Sequence, residues 1–520
     1  MKSGTAVPIL AILSAAFFLP SLNAQWAGYA HDPQHTAVSG VAAQNLNQVH
    51  RQTPVDTNPP GGEIFIHYGS LSVTSGNTVL VPVKTLAQDG ITTNFEVLPF
   101  NGATGASLGY TLTSDYTLPP QFGTYNSYDW TPSYGPALSL NTRLYFPGAG
   151  GTVYYRDTLN GPKGSNGQAG ATGQYVFYGK SVYTANQTAL NAAIQISTPI
   201  TADRYGDIFF GFVASQPNAA GVVSGLARIG PTGVGTWVSA TSLAGGDSQV
   251  AQVAQNCAPA LSNDQKTVYV AVSGGGIFDT NGYLVSMNAT TLAPVAHVAL
   301  YDPRGPRATV SGDSSASPMV GPDGDVYYGI LEDSCCSSHN DRGWMLHFNS
   351  TLSTLKTPGS FGWDNTASVV PASIVPSYTG TSSYLILTKY NNYNGIGTGN
   401  GVNQVAVLDP NATMTDEYCL SSCSSSPVTV MKEVITVTTS VGNSPSSEWC
   451  INTTAIDPIT KSAIINSENG YVYRWDFTTN TLLQSLKLTN GIGEAYTPTA
   501  IGPDGTAYAI NDSILFAVGN

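Results

Sequence analysis

Ser315-Ala-Ser-Pro-Met-Val-Gly-Pro-Asp-Gly-Asp-Val-Tyr-Tyr328 and Tyr496-Thr-Pro-Thr-Ala-Ile-Gly-Pro-Asp-Gly-Thr-Ala-Tyr508 are two copies of one pattern. Each passes from a small or proline-containing lead into a short apolar strand, a Gly-Pro-Asp-Gly turn, and a strand ending in aromatics. The turn chemistry between apolar runs predicts a hairpin. Weaker copies begin near Pro132, Ser197 and Cys257, and fainter ones near Ser70, Ala367 and Thr453. A variable loop and a third strand ending at Asn or Asp follow, as at 283–288, 344–349, 405–409 and 471–476. A fourth strand comes next, as at 293–300. Four antiparallel strands with eight starts describe an all-β chain, a single propeller of eight four-stranded blades, with seven the alternative.

Composition points the same way. Of 520 residues only 10% are charged, against about 25% in a typical soluble domain. The 55 glycines, 32 prolines and 28 tyrosines suit short strands joined by tight turns. The 19 basic and 32 acidic side chains give a net charge of −13, with no Lys/Arg run. That balance excludes nucleic acid and anionic membrane surfaces as expected partners.

Residues 1–24 read as a secretory signal: Lys2, an apolar stretch from Val7 to Leu19, and Leu22-Asn23-Ala24 ahead of Gln25. No second run of ~18 apolar residues follows. The mature domain, 25–520, is therefore expected to be secreted or periplasmic, soluble, monomeric and not inserted in a membrane. In an exported chain six cysteines favour disulfides over zinc, since no paired C-x-x-C knuckles occur. The expected pairs are Cys419 with Cys423, Cys335 with Cys336, and Cys257 with Cys450. An alternative joins Cys257 to one of the adjacent pair and leaves other thiols free.

Three motifs carry a family resemblance. They are the opening Gln25-Trp-Ala-Gly-Tyr-Ala-His-Asp-Pro-Gln-His-Thr36, the Gly-Pro-Asp-Gly-x-x-Tyr hairpin, and the Asn/Asp-x-x-Thr turns at 101–104, 288–291 and 476–479. In these the chain resembles the quinoprotein-like (PQQ-repeat) β-propellers across 25–520. The resemblance implies that the N-terminal segment near Trp26 pairs with the last blade and closes the ring. In the family's enzymes it also implies PQQ and calcium. Those enzymes follow the third-strand turn with a docking tryptophan, where this chain has Gly109, Ala296 and Gln484. No C-x-x-C-H haem motif is present. Cys335-Cys336 lies in a middle-blade loop, whereas the enzymes carry an adjacent pair in an early blade. The resemblance thus implies the fold more than the redox chemistry.

Loops between second and third strands, together with the blade-to-blade crossings, build one face of a propeller. Here they are long, at 214–224, 273–282, 332–342 and 389–401, joined by crossings at 301–313, 360–366 and 491–496. They hold much of the scarce charge. Candidate ligand contacts are Arg304, Arg307, His339, Asp341, Arg342, Trp363, Asp364, Glu448 and Glu494. Arginine offers a planar fork to carboxylate or sulfate, and tryptophan a stacking face for sugar. No nucleophile elbow, metalloprotease helix, P-loop or dinucleotide fingerprint appears, and no catalytic residue is assigned. The leading expectation is a non-catalytic binding or scaffolding propeller for a glycan or protein partner at the loop-rich mouth, without cofactor or metal. The alternatives are a PQQ- and calcium-dependent oxidoreductase of alcohols or sugars, and a hydrolase or lyase using acids such as Asp313, Asp364, Glu448 and Glu494.

Overall fold

The computed structural model describes residues 26–59, 67–86, 93–120, 134–139, 143–161, 172–312, 314–333, 338–419, 427–439, 446–490 and 495–520. The predicted signal and Asp313, Cys335, Cys336, Cys423 and Glu494 lie outside them. The strands form eight antiparallel sheets of blade type, and seven of them run in sequence order from the inside outwards, the last blade taking its outermost strand from the N-terminal part of the chain. Their innermost strands are Ser72–Val73, Ala137–Ser139, Thr201–Ala202, Ala260–Leu261, Met319–Val320, Ser368–Pro371, Ala455–Asp457 and Ala500–Ile501. These fall on the eight starts read from the repeat. In blade 5 the fourth position is reduced to two bridges, Met345 with Gly359 and Phe348 with Leu355.

The repeat motifs have local physical causes. Gly324 N–H closes a turn onto the Gly321 carbonyl at 2.9 Å, and the Asp323 carboxylate accepts from Asp325 N–H at 3.0 Å. Gly324 takes φ +90°, which glycine adopts without steric cost. In the Asn/Asp-x-x-Thr turns the leading side chain accepts the backbone N–H groups behind it, as Asn288 does from Thr290 and Thr291 at 2.9 and 3.0 Å. Second strands, covered by neighbouring blades on both faces, are buried over most or all of their length, as in Ser462–Asn466. The outermost strand Thr481–Lys487 alternates between exposed and half-buried positions. Where the enzymes dock a tryptophan, Gln484 accepts from Arg474 Nε at 2.9 Å and from Leu46 N–H at 3.3 Å.

Ring closure uses Gln48–Pro54, which pairs antiparallel with Ile514–Gly519 as the outer strand of blade 8. Pairing of the two chain ends is as expected, but the segment near Trp26 does not make it. Trp26 instead bridges Val73 in blade 1. From there the chain runs round the inside of the ring in blade order. It bonds Leu138 N–H through the Ala27 carbonyl, Leu261 through Pro33, Val320 through Gln34, Val369 through Thr36 and Ile456 through Ala37, all at 2.7–2.9 Å. Asp32 holds this tight path by accepting from the N–H groups of Gln34 and Thr36. The segment closes the hairpin end of the channel, opposite the long loops. Among the described residues no helix is long and apolar enough to cross a membrane.

Candidate functional site

Blades 1 and 6 are not neighbours in an eight-membered ring, so side chains from their approaches can meet only across the axis. His67, entering blade 1, and Asp364, entering blade 6, do so with Nε2 to Oδ2 at 2.7 Å. The other Asp364 oxygen accepts Ser315 N–H and Oγ–H at 2.8 and 2.9 Å. Asp364 is buried and sits at φ +47°, a strained position for a non-glycine residue. Burial opposes its charge. The His67 charge and hydrogen bond, Lys389 and the Ser315 N–H more than offset this and hold the carboxyl well below the usual range. Beneath the pair, the Tyr29 hydroxyl from the channel-closing segment donates to the Ser315 carbonyl at 2.9 Å or to Asn452 at 2.7 Å, and also meets Thr366 at 2.8 Å.

Lys389 ends the second strand of blade 6 and is 1% exposed. Its Nζ lies 5.5, 5.7 and 5.9 Å from the ring centres of Trp363, Phe361 and Tyr496. Among the described residues this ammonium makes no hydrogen bond or ion pair. Tyr496 also packs on His67, ring centres 4.2 Å apart. The Cys450 thiol donates to Glu468 Oε2 at 2.7 Å. Burial, with the Glu468 charge, pushes this thiol well up. Burial also lifts Glu468 to about 7, helped by Glu448 and opposed by the thiol hydrogen bond.

The predicted contacts therefore separate. Trp363, Asp364 and Glu448 belong to the axial group. Arg304, Arg307, His339, Asp341 and Arg342 lie on the same face, but in the loops of blades 4 and 5; all but Asp341, whose Oδ1 is buried without a partner among the described residues, have side chains engaged in ties of their own. Arg304 pairs with Asp302 and Asp333, and Arg307 donates to the Thr280 and Gly282 carbonyls at 3.0 and 2.8 Å. His339 stacks on Trp344 at 3.7 Å and bonds Asp416 at 2.9 Å. Arg342 is fully buried, donating to the Ser360 carbonyl at 3.0 Å and lying 3.6 Å from the Tyr418 ring centre. The forks expected to face ligand instead hold long loops onto the blades. His67, Lys389, Glu468 and Tyr496 were not among the sequence candidates.

The Cys257–Cys450 pairing is corrected: both are free, buried thiols. They precede blades 4 and 7, three steps apart round the ring. Cys257 Sγ accepts Ala271 N–H at 3.4 Å within its own blade. Cys419 is disulfide-bonded.

Buried acids give the fold a pH dependence. Burial, reinforced by Glu332, raises Asp341 to about 7, and Glu468 also stands near 7. Unfolded carboxyls titrate near 4, so between roughly pH 4 and 7 the folded state binds more protons and stability falls as pH rises. Asp364 acts oppositely, contributing stability above about pH 4 that is lost in stronger acid. Thermal melts should peak at mildly acidic pH, and Asp341→Asn should flatten the decline toward pH 7. A melting temperature that rises from pH 5 to 7 contradicts this.

No protein-family model matches the chain, and no curated protein matches it in sequence. Solved structures do match. A europium-containing methanol dehydrogenase is 10% identical, with 94% of this chain and 89% of that one covered and a TM-score of 0.50. BamB from Moraxella catarrhalis is 10% identical, with 91% and 99% covered and a TM-score of 0.43. The quinohemoprotein alcohol dehydrogenase from Comamonas testosteroni is 11% identical, with 95% and 76% covered and a TM-score of 0.48. The fold is a β-propeller, similar to that of the methanol dehydrogenase. At such identities the likeness concerns fold alone.

Among the described residues the axial group fits a calcium–quinone centre poorly. Calcium takes six to eight oxygen ligands. The axial group that gathers metal-type atoms within 4.8 Å of one another is Glu448, Cys450 and Glu468, one of them a protonated thiol bonded to its neighbouring carboxyl. No redox step is derived from it.

Proposed function

We propose that this chain is an exported, non-catalytic binding propeller whose axial site receives a sugar unit of a glycan. The observation that carries the reading is Lys389, a buried ammonium without a hydrogen-bond partner among the described residues. Beside it Trp363 Nε1 and His67 Nδ1 are also buried without partners. Unsatisfied buried polar groups are costly, and a ligand that accepts from them removes that cost. Sugar hydroxyls both accept and donate. They would accept hydrogen bonds from Lys389 and Trp363 and donate hydrogen bonds to the half-buried Glu448 and Glu468. The half-buried Trp363 and Tyr496 offer apolar ring surface at the rim.

A glycan array with the mature protein tests this. At least one glycan is expected to bind without product release, and Lys389→Met should weaken it tenfold or more while the fold persists. Cleaved product would favour a hydrolase or lyase. An array with no binder, or binding untouched by Lys389→Met, overturns the axial reading.

A further inference from the structure

A cleft of about 900 Å³ opens between the outer strands of blades 2 and 3, Thr172–Val176 and Gly235–Ser239, far from the axis. We propose that it is a second carbohydrate site, for a neutral oligosaccharide. Its volume lies in the range of about 300–1,000 Å³ that holds small-molecule ligands. Its described walls carry the half-buried rings of Tyr155, Tyr175, Tyr178 and Trp237, with Gln174 and Thr236 as polar contacts. In a chain with 32 acids the described lining holds none, and Lys180 is its one charged group. Such a lining suits neither a cation nor a polyanion. It suits hydroxyl-bearing rings that stack and hydrogen-bond.

The rings are fixed before any ligand arrives. A Cβ on Gly233 would stand 2.5 Å from the Tyr175 ring, and one on Gly173 would stand 2.6 Å from the Tyr155 ring. Both aromatics therefore lie directly on glycine backbone. Arg143, paired with Asp157, sits 4.4 Å over Tyr155 and donates to the Tyr175 hydroxyl at 3.0 Å. Trp237 meets Phe212 edge-on at 6.2 Å, and its Nε1 has no hydrogen-bond partner among the described residues. Preorganised aromatic surface reduces the ordering cost of binding. A peptide strand fits less well. It needs ~4.8 Å beside each edge it pairs with, whereas a Cβ on Gly235 would already be 2.3 Å from the Phe177 backbone. The two edges converge there.

The test uses the full mature chain with cellotetraose, chitotetraose and maltotetraose as probes, read by saturation-transfer NMR and calorimetry. One probe is expected to bind, with affinity at least tenfold weaker in Trp237→Ala. Val234 is 70% exposed at the cleft, so Val234→Asp should fold normally and also weaken binding. Lys389→Met should leave cleft binding unchanged, which separates this site from the axial one. No binding by any probe, or binding that survives both cleft variants, overturns the proposal. Binding lost in Lys389→Met and kept in Trp237→Ala overturns it too, and supports the axial site alone.

Discussion

Asp364→Ala should cost about 3 kcal/mol or more, since it leaves several buried donors unpaired at about 1–3 kcal/mol each. The carboxylate meets His67 on one oxygen and both donors of Ser315 on the other. All three groups would be stranded. Two further variants separate charge from backbone. Asp364→Gly removes the same charge but relieves the left-handed position, so it should lose less than alanine. Asp364→Asn keeps an acceptor for Ser315 and should fall between alanine and wild type. Denaturant melts at neutral pH decide it. The His67→Ala, Asp364→Ala double variant should lose less than the sum of the two singles. Strict additivity would mean that the two groups do not interact.

Deleting 26–39 while keeping the closing strand Gln48–Pro54 should be at least as damaging. Trp26 is fully buried, and truncating one such tryptophan costs roughly 3–5 kcal/mol. The deletion also strands inner-strand N–H groups in blades 1, 2, 4, 5, 6 and 7. Loss of cooperative melting is the expected result. A deletion that melts within a few degrees of the full chain would show that the inner circuit contributes little to stability. Tyr29→Phe is the milder companion. It removes the hydroxyl under the axial pair and should cost about 1–3 kcal/mol, because Asn452 and Thr366 lose a buried partner.

The fold was legible because each blade repeats local chemistry. Gly-Pro-Asp-Gly turns, Asx-type turns and apolar second strands are decided by residues adjacent in the chain, so eight starts could be counted without any long-range knowledge. The site was legible only in part. Trp363, Asp364 and Glu448 were found because charge and tryptophan concentrate in crossings. His67 and Tyr496 meet Asp364 and Lys389 only through ring closure, and nothing in their neighbouring residues signals it. Lys389 reads in the sequence only as the first residue of the long loop 389–401. Arg304 and Arg342 looked like ligand forks because sequence shows charge and hides its consumption by nearby carbonyls and carboxylates. The Cys257–Cys450 pairing failed for a similar reason: two thiols in equivalent positions of their blades are not close unless those blades adjoin.

The segment inside the ring also bears on how the chain is made. Its first residues bond blade 1, yet its later ones need partners near 261, 320, 369 and 456, and the closing strand needs 514–519. During synthesis these early residues must wait, unpaired, until hundreds of later ones emerge. Contacts at such separation form slowly, because the intervening chain must first give up its freedom. A chain cut short before blade 8 would expose an open sheet edge and an empty core together, which leaves truncated products open to aggregation and proteolysis.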